Sequence, residues 1–171
     1  MDVTIRYATQ EDLDLLSELG AKTFFDTYGE TNTEENMRSY MRATFDKAVI
    51  MKELNNRTVS FLIAMTSDTA IGYAKLGRNN IPGNIALNQA IELERLYIVK
   101  EAKGRGVGSA LMNACMALAR SESFKVLWLG VWEHNHRAMD FYKKCGFEVF
   151  AEHTFMLGED PQHDFLMKTE L

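Results

Sequence analysis

Apolar and polar residues alternate over Val3–Tyr7, a spacing that predicts a short strand. Thr9, with Asp12 three positions on, has the form of a capping box with Asp in place of Glu. Leu13, Leu15, Leu16 and Leu19 then share one helical stripe, with Gly20 within or near the end of that helix. A second helix is predicted from about Thr33. Glu34 and Glu35 suit the dipole of its first turn, and Met37, Tyr40 and Met41 form its apolar face. A third, short helix is predicted from about Asp46 to Leu54. The period then changes. Thr58–Met65 reads as a strand, Ser67-Asp68 as a turn and Ala70–Leu76 as the hairpin partner. Arg78–Asn88, with Pro82 and Gly83, reads as a loop, and Ala90–Val99 as the next strand. A charged loop, Lys100–Arg105, leads into a helix over about Gly106–Arg120. An apolar strand, Lys125–Val131, precedes a helix over Asn135–Cys145 that Gly146 closes in a left-handed cap. Phe147–Phe150 and about Gln162–Thr169 are the final expected strands. No repeat or linker interrupts this order, so the expected fold class is mixed α/β (α+β) in one domain, residues 1–171.

Composition narrows the function. With 46% hydrophobic and 25% charged residues the 171-residue chain has globular values. Its longest apolar run, Val126–Trp132, falls far short of the ~20 residues a spanning helix needs. The first residues lack the basic-then-apolar pattern of a secretory signal, so a cytoplasmic location is expected. A net charge of −5 argues against a general nucleic-acid binder and mildly favours a cationic partner. Cys115 and Cys145 form no CxxC pair and read as reduced thiols. His134 and His136 have no third ligand in view, so no metal is expected.

Lys103-Gly104-Arg105-Gly106-Val107-Gly108-Ser109 lies between a predicted strand and a predicted helix. Alternating glycines let backbone approach a ligand closely, and N–H groups at a helix start hold anions. The run is not a dinucleotide fingerprint, because the third glycine would fall on Ser109 or Leu111. Nor is it a Walker A loop, since the chain has no Gly-Lys pair. Glycines and basic residues of this kind also occur in ordinary turns. The pattern nevertheless resembles the acetyl-CoA loop of the GNAT superfamily of N-acetyltransferases, with Lys103 where Gln or Arg is usual. A second motif, Asn135-His-Arg-Ala138-Met-Asp-Phe141-Tyr142-Lys-Lys-Cys-Gly146-Phe147, resembles a helix of the same superfamily. The strand expected between the two motifs is present at Lys125–Val131.

The resemblance implies the GNAT acyl-CoA N-acyltransferase fold, a mixed, mostly antiparallel twisted sheet flanked by helices. It implies acetyl-CoA as co-substrate, with no metal, and direct transfer of acetyl to a primary amine in a ternary complex. Cofactor contacts would come from Leu96, Tyr97 and Ile98, from Lys103, Gly104, Arg105, Gly106, Val107, Gly108 and Ser109, and from Asn135. Tyr142 suits the general acid that protonates the leaving thiolate, as its phenol stays protonated at pH 7. Glu92 matches the strand glutamate that acts as general base through water in several members of the superfamily. Glu94 is the alternative base or a substrate contact, and either glutamate reads equally well as only a substrate-side acid or edge charge. Strand alternation is expected to put both on one face with Leu96 and Ile98.

Phe24-Phe25-Asp26-Thr27, Glu34-Glu35-Asn36-Met37, Trp128–Glu133 and His153–Gly158 are similar to the bacterial spermidine/spermine acetyltransferase branch. In this superfamily the first two helices and their loop shape the acceptor site. Here that region carries Asp26, Tyr28, Glu30, Glu34 and Glu35, suited to a polyamine through ion pairing and cation–π contact. Solvated acids at a helix start are the plainer alternative. Rival readings are a different acceptor (a protein N-terminus, an amino acid or an antibiotic amine) and an acetyl-CoA-binding regulator without turnover. A carboxylate-bearing acceptor is disfavoured by the acids. No nucleic acid or membrane partner is expected, and a homodimer remains open because the family is often dimeric.

Overall fold

The computed structural model describes residues 2–79, 89–157 and 160–171. The loop expected over Arg78–Asn88 lies largely outside them. The chain runs β1 (Thr4–Tyr7), α1 (Leu13–Tyr28), α2 (Glu34–Phe45), α3 (Lys47–Leu54), β2 (Val59–Thr66), β3 (Thr69–Gly77) and β4 (Ala90–Ile98). It continues as α4 (Val107–Ser121), β5 (Val126–Trp132), α5 (His136–Lys144), β6 (Glu148–Leu157) and β7 (Asp160–Glu170). The seven strands make one sheet in the order β1-β2-β3-β4-β5-β7-β6, antiparallel except where β4 meets β5. This is the mixed, mostly antiparallel sheet expected.

Alternation along the strands divides the core between two faces. On β2, Leu62 and Ala64 point to the face covered by α4 and α5, where Val107, Leu111, Met112, Cys115 and Tyr142 are buried. Phe61 and Ile63 point to the other face, against Leu16, Leu19 and Phe24 of α1, Met37 and Phe45 of α2 and Ile50 of α3. Gly20 lies mid-helix in α1 because Phe45 packs onto it: a Cβ there would stand 2.5 Å from the Phe45 ring. Gly146 closes α5 with φ +90°, as expected. The last two strands are longer than their predicted cores. Glu152, His153 and Thr154 break the apolar pattern of β6, yet each is held in register by β7.

The capping box before α1 forms. Asp12 accepts from the Thr9 backbone N–H at 2.8 Å and receives the Arg6 guanidinium at 2.6 and 2.8 Å. The Arg6 hydrogen bonds are the largest cause holding the Asp12 carboxyl below its ordinary value. Such a group stabilises the fold fully above its unfolded pKa of ~3.9, and that stability is lost as pH falls through the depressed folded value. Asp12→Asn is expected to cost about 1 kcal/mol at neutral pH, because its amide oxygen can still accept from Thr9 while the charge-assisted bonds from Arg6 are weakened. Thermal melts should show the gap from the native protein closing as pH drops below ~4.

Candidate active site

The ladder between β4 and β5 is short. It pairs Ala90 with Val126, Ile91 with Leu127 and Glu92 with Trp128, and no further pair follows. Beyond it β4 keeps its partner β3 and β5 keeps β7, so the two main chains part. A bulge accompanies the parting: Lys75 faces Arg95 while Leu76 faces Leu93, leaving Glu94 as the extra residue. A bulged strand bends and twists more strongly. The resulting cleft, about 570 Å³, is lined by Leu93–Ile98 of β4, Gly130 and Val131 of β5, the glycine loop and α5.

The bulge corrects one expectation. Ile91 and Leu93 belong to the α4 side of the core, and so do Leu96 and Ile98. Arg95 stacks on Phe45, and Tyr97 packs on the α1 side. Glu92 and Glu94 therefore lie on the face opposite Leu96 and Ile98, because the extra residue shifts the alternation. Glu92 does not line the cleft, whereas Glu94 does. Glu94 is ion-paired with Lys75, which is 5% exposed and also holds Glu53 of α3 at 2.6 Å. Glu53 in turn takes both guanidinium nitrogens of Arg95 at 2.8 and 2.9 Å. Two acids and two bases thus compensate one another beneath the bulge.

At one end of the cleft Gly104 and Gly106 have φ of +82° and +84°, left-handed values that favour glycine. Gly106 is the N-cap of α4, and the first in-helix bond runs from the Ala110 N–H to its carbonyl. The N–H groups of Val107, Gly108 and Ser109 have no helical acceptor and make an anion cradle. Lys103, Arg137 and Lys144 line the same cleft. Burial, then Arg137 and Lys100, push the Lys103 ammonium below its ordinary value, while Asp26 opposes them. These groups fit a pyrophosphate, which would relieve that crowding of positive charge.

Leu96, Tyr97, Ile98, Lys103, Gly104, Gly106, Gly108, Ser109, Asn135 and Tyr142 all line the cleft. The side chains of Arg105 and Val107 do not. Arg105 is exposed between the two left-handed glycines, and Val107 turns into the core at 1% exposure. Asn135 caps α5 by accepting from the Ala138 N–H at 3.2 Å, and it partly offsets the burial that raises the Tyr28 phenol. The Tyr142 ring lies between Phe141 and Phe147, with burial pushing its phenol up. Arg137 and Lys144 were not singled out from sequence, because a basic residue on a helix is no signal until the fold aims it.

The cleft opens into a smaller cavity of about 110 Å³, lined by Phe24, Tyr28, Asn32, Tyr40, Glu94, Tyr97, Gly130, Trp132, Gln162 and Asp164. Of the acids and tyrosine expected at the acceptor site, only Tyr28 lines it. Asp26, Glu30, Glu34 and Glu35 are exposed. Thr33 caps α2 by accepting from the Asn36 N–H at 3.2 Å, which fixes Glu34 and Glu35 on its solvent-facing first turn. The cavity's acids are Glu94 and Asp164. Asp164 sits where His163, Asp164 and Phe165 give a strand no distinctive motif, so sequence offered no signal for it.

An anion cradle at one end of a cleft and an acidic aromatic cavity at the other define a transferase of coenzyme-carried acyl groups. The chain belongs to the acetyltransferase (GNAT) family, whose model matches residues 21–147. It is an N-acetyltransferase, with acetyl-CoA as its co-substrate. An uncharacterized N-acetyltransferase of Lactobacillus delbrueckii subsp. lactis is 34% identical over 169 residues, 99% of this chain and 98% of that one. A spermidine N(1)-acetyltransferase of Thermoplasma acidophilum is 29% identical over 153 residues, 87% of this chain and 90% of that one. The crystal structure of PaiA N-acetyltransferase from Thermoplasma acidophilum, in complex with coenzyme A, superposes with a TM-score of 0.82 at 25% identity, covering 100% of both chains. Among the described residues no helix is long and apolar enough to cross a membrane.

Proposed function

We propose that the chain acetylates a polyamine such as spermidine or spermine. The inner cavity carries this reading: Asp164, Glu94 already paired with Lys75, and five aromatic rings line it, with no basic side chain among its lining. An ammonium is favoured there by charge and by the ring faces, and a carboxylate is not. The name of the Thermoplasma relative supports the same choice. Cys115 and Cys145 are free thiols, in keeping with a reaction in the cytoplasm, where thiols stay reduced.

The chemistry would run across the open seam. Backbone groups of Leu96–Ile98 face the cleft and would pair with the coenzyme's amide-bearing arm as a strand edge does. The cradle of Gly104–Ser109, with Lys103, Arg137 and Lys144, would hold its pyrophosphate. A backbone N–H of the same strand would donate to the developing oxyanion. Tyr142, kept protonated by burial, would give its proton to the departing thiolate.

A steady-state screen tests the acceptor. Spermidine or spermine should give a higher kcat/KM than butylamine, amino acids or a peptide N-terminus. Added salt should raise KM for the polyamine more than for butylamine, through screening over ~8–10 Å. A higher kcat/KM with an amino acid or peptide would overturn the polyamine assignment.

A further inference from the structure

We infer that Asp164 binds the acceptor's ammonium and takes its proton. The inference rests on the reading that the inner cavity receives the amine. Four residues line both the cleft and the cavity: Tyr28, Glu94, Tyr97 and Gly130. Their meeting point is where a nitrogen can reach the thioester carbon. Asp164 lines the inner cavity beside it. It faces Trp132 across the β5–β7 ladder, and a Cβ built on Gly130 would lie 3.5 Å from its Oδ2. Gly130 has no side chain, so nothing from that residue screens the Asp164 carboxylate from the opening between the strands. Glu94, the other acid at this point, is already paired with Lys75 inside a four-charge network. A carboxylate already engaged by a buried ammonium has less lone-pair capacity for an incoming amine.

The surroundings of Asp164 suit the task. Burial raises its carboxyl to about 6, with His153 and His163 partly opposing. Asp164 in turn helps raise Tyr28 of α1, whose phenol stands at about 12, and also raises Tyr40 of α2. Glu94 and Tyr97 of β4 complete the titratable groups around the cavity. A base is most effective when its pKa lies near the working pH.

The proton count closes. An alkylammonium passes one proton to Asp164 and becomes the neutral nucleophile. Its lone pair forms the C–N bond to the acetyl carbon, and the C–S bond breaks with its electron pair on sulfur. Tyr142 protonates the thiolate and recovers a proton from the nitrogen as the amide forms. The third nitrogen proton stays in the amide, and Asp164 releases its own to solvent.

Asp164→Asn keeps the shape and removes the base. Its kcat/KM should fall about 100-fold, the low end of a lost general base. The native acidic limb near pH 6 should disappear, while calorimetric affinity for coenzyme A stays within twofold. His153→Gln and His163→Gln should each retain the limb. Binding is read separately from turnover by Trp132 fluorescence in a Trp128→Phe background, with coenzyme A bound and spermidine or butylamine as probe. Native affinity should weaken between pH 7.5 and pH 5. The Asp164→Asn protein should bind about tenfold more weakly, with no such pH dependence. Near-native kcat/KM, a surviving acidic limb or unchanged amine affinity in Asp164→Asn would overturn the role of Asp164 alone. Failure of the native protein to bind either amine would overturn both this role and the assignment of the cavity.

Discussion

Gly106→Asp is expected to lose acetyl-CoA binding while the protein stays folded. At φ +84° this position favours glycine, but Asp is among the residues that best tolerate left-handed backbone. A Cβ there meets nothing within 4 Å, so the added side chain has room. What changes is charge: a carboxylate enters the cradle where a pyrophosphate would sit. Loss of two hydrogen bonds to a charged group, worth ~1.5–3 kcal/mol each, corresponds to at least ~100-fold in affinity. Calorimetry should find that loss with Tm shifted by only a few degrees. Gly106→Asn, with the same backbone demand and no charge, should lose much less. Equal affinity for all three proteins would remove the loop from coenzyme recognition. Gly108 is a poorer test, since its Cβ would press within 3.2 Å of Ile98 and confuse packing with charge.

Tyr142→Phe should lower kcat by ~10²–10⁴, the usual worth of a positioned proton donor. The ring keeps its contacts with Phe141 and Phe147, so α5 should remain in place. Coenzyme affinity should stay within about twofold, since only a hydroxyl is lost. A near-native kcat would mean that the thiolate leaves without help from this phenol.

Much of the fold was legible in the chain because period and punctuation are local. Thr9/Asp12, Thr33 and Gly146 announce helix ends through chemistry confined to a few residues, and each forms as read. The glycine loop and the Asn135–Phe147 helix were legible for the same reason, as contiguous motifs. The side-chain alternation of β4 was not. A bulge is decided by how β3 pairs with it, and that pairing shifted Glu92 and Glu94 away from the face of Leu96 and Ile98. Of the inner cavity's two acids, Glu94 was singled out from the sequence and Asp164 was not. Asp164 comes from the last strand and Glu94 from the fourth, and only the sheet order β4-β5-β7 brings them to one place. The acids around the second helix drew notice because they cluster in sequence; Asp26, Glu30, Glu34 and Glu35 are exposed and line neither the cleft nor the inner cavity.

The short β4–β5 ladder carries one last consequence. Among the described residues its three pairs, with Gln89 accepting from the Lys125 N–H beside them, join a four-stranded half, β1 to β4, to a three-stranded half, β5 to β7. Main-chain groups that would knit a continuous sheet have been left for a visitor to use. Coenzyme bound in the seam as proposed would act as a missing strand, cross-linking the halves. Ligand occupancy and conformational cooperativity become the same quantity, so the protein's resistance to unfolding should rise and fall with the acetyl-CoA supply around it.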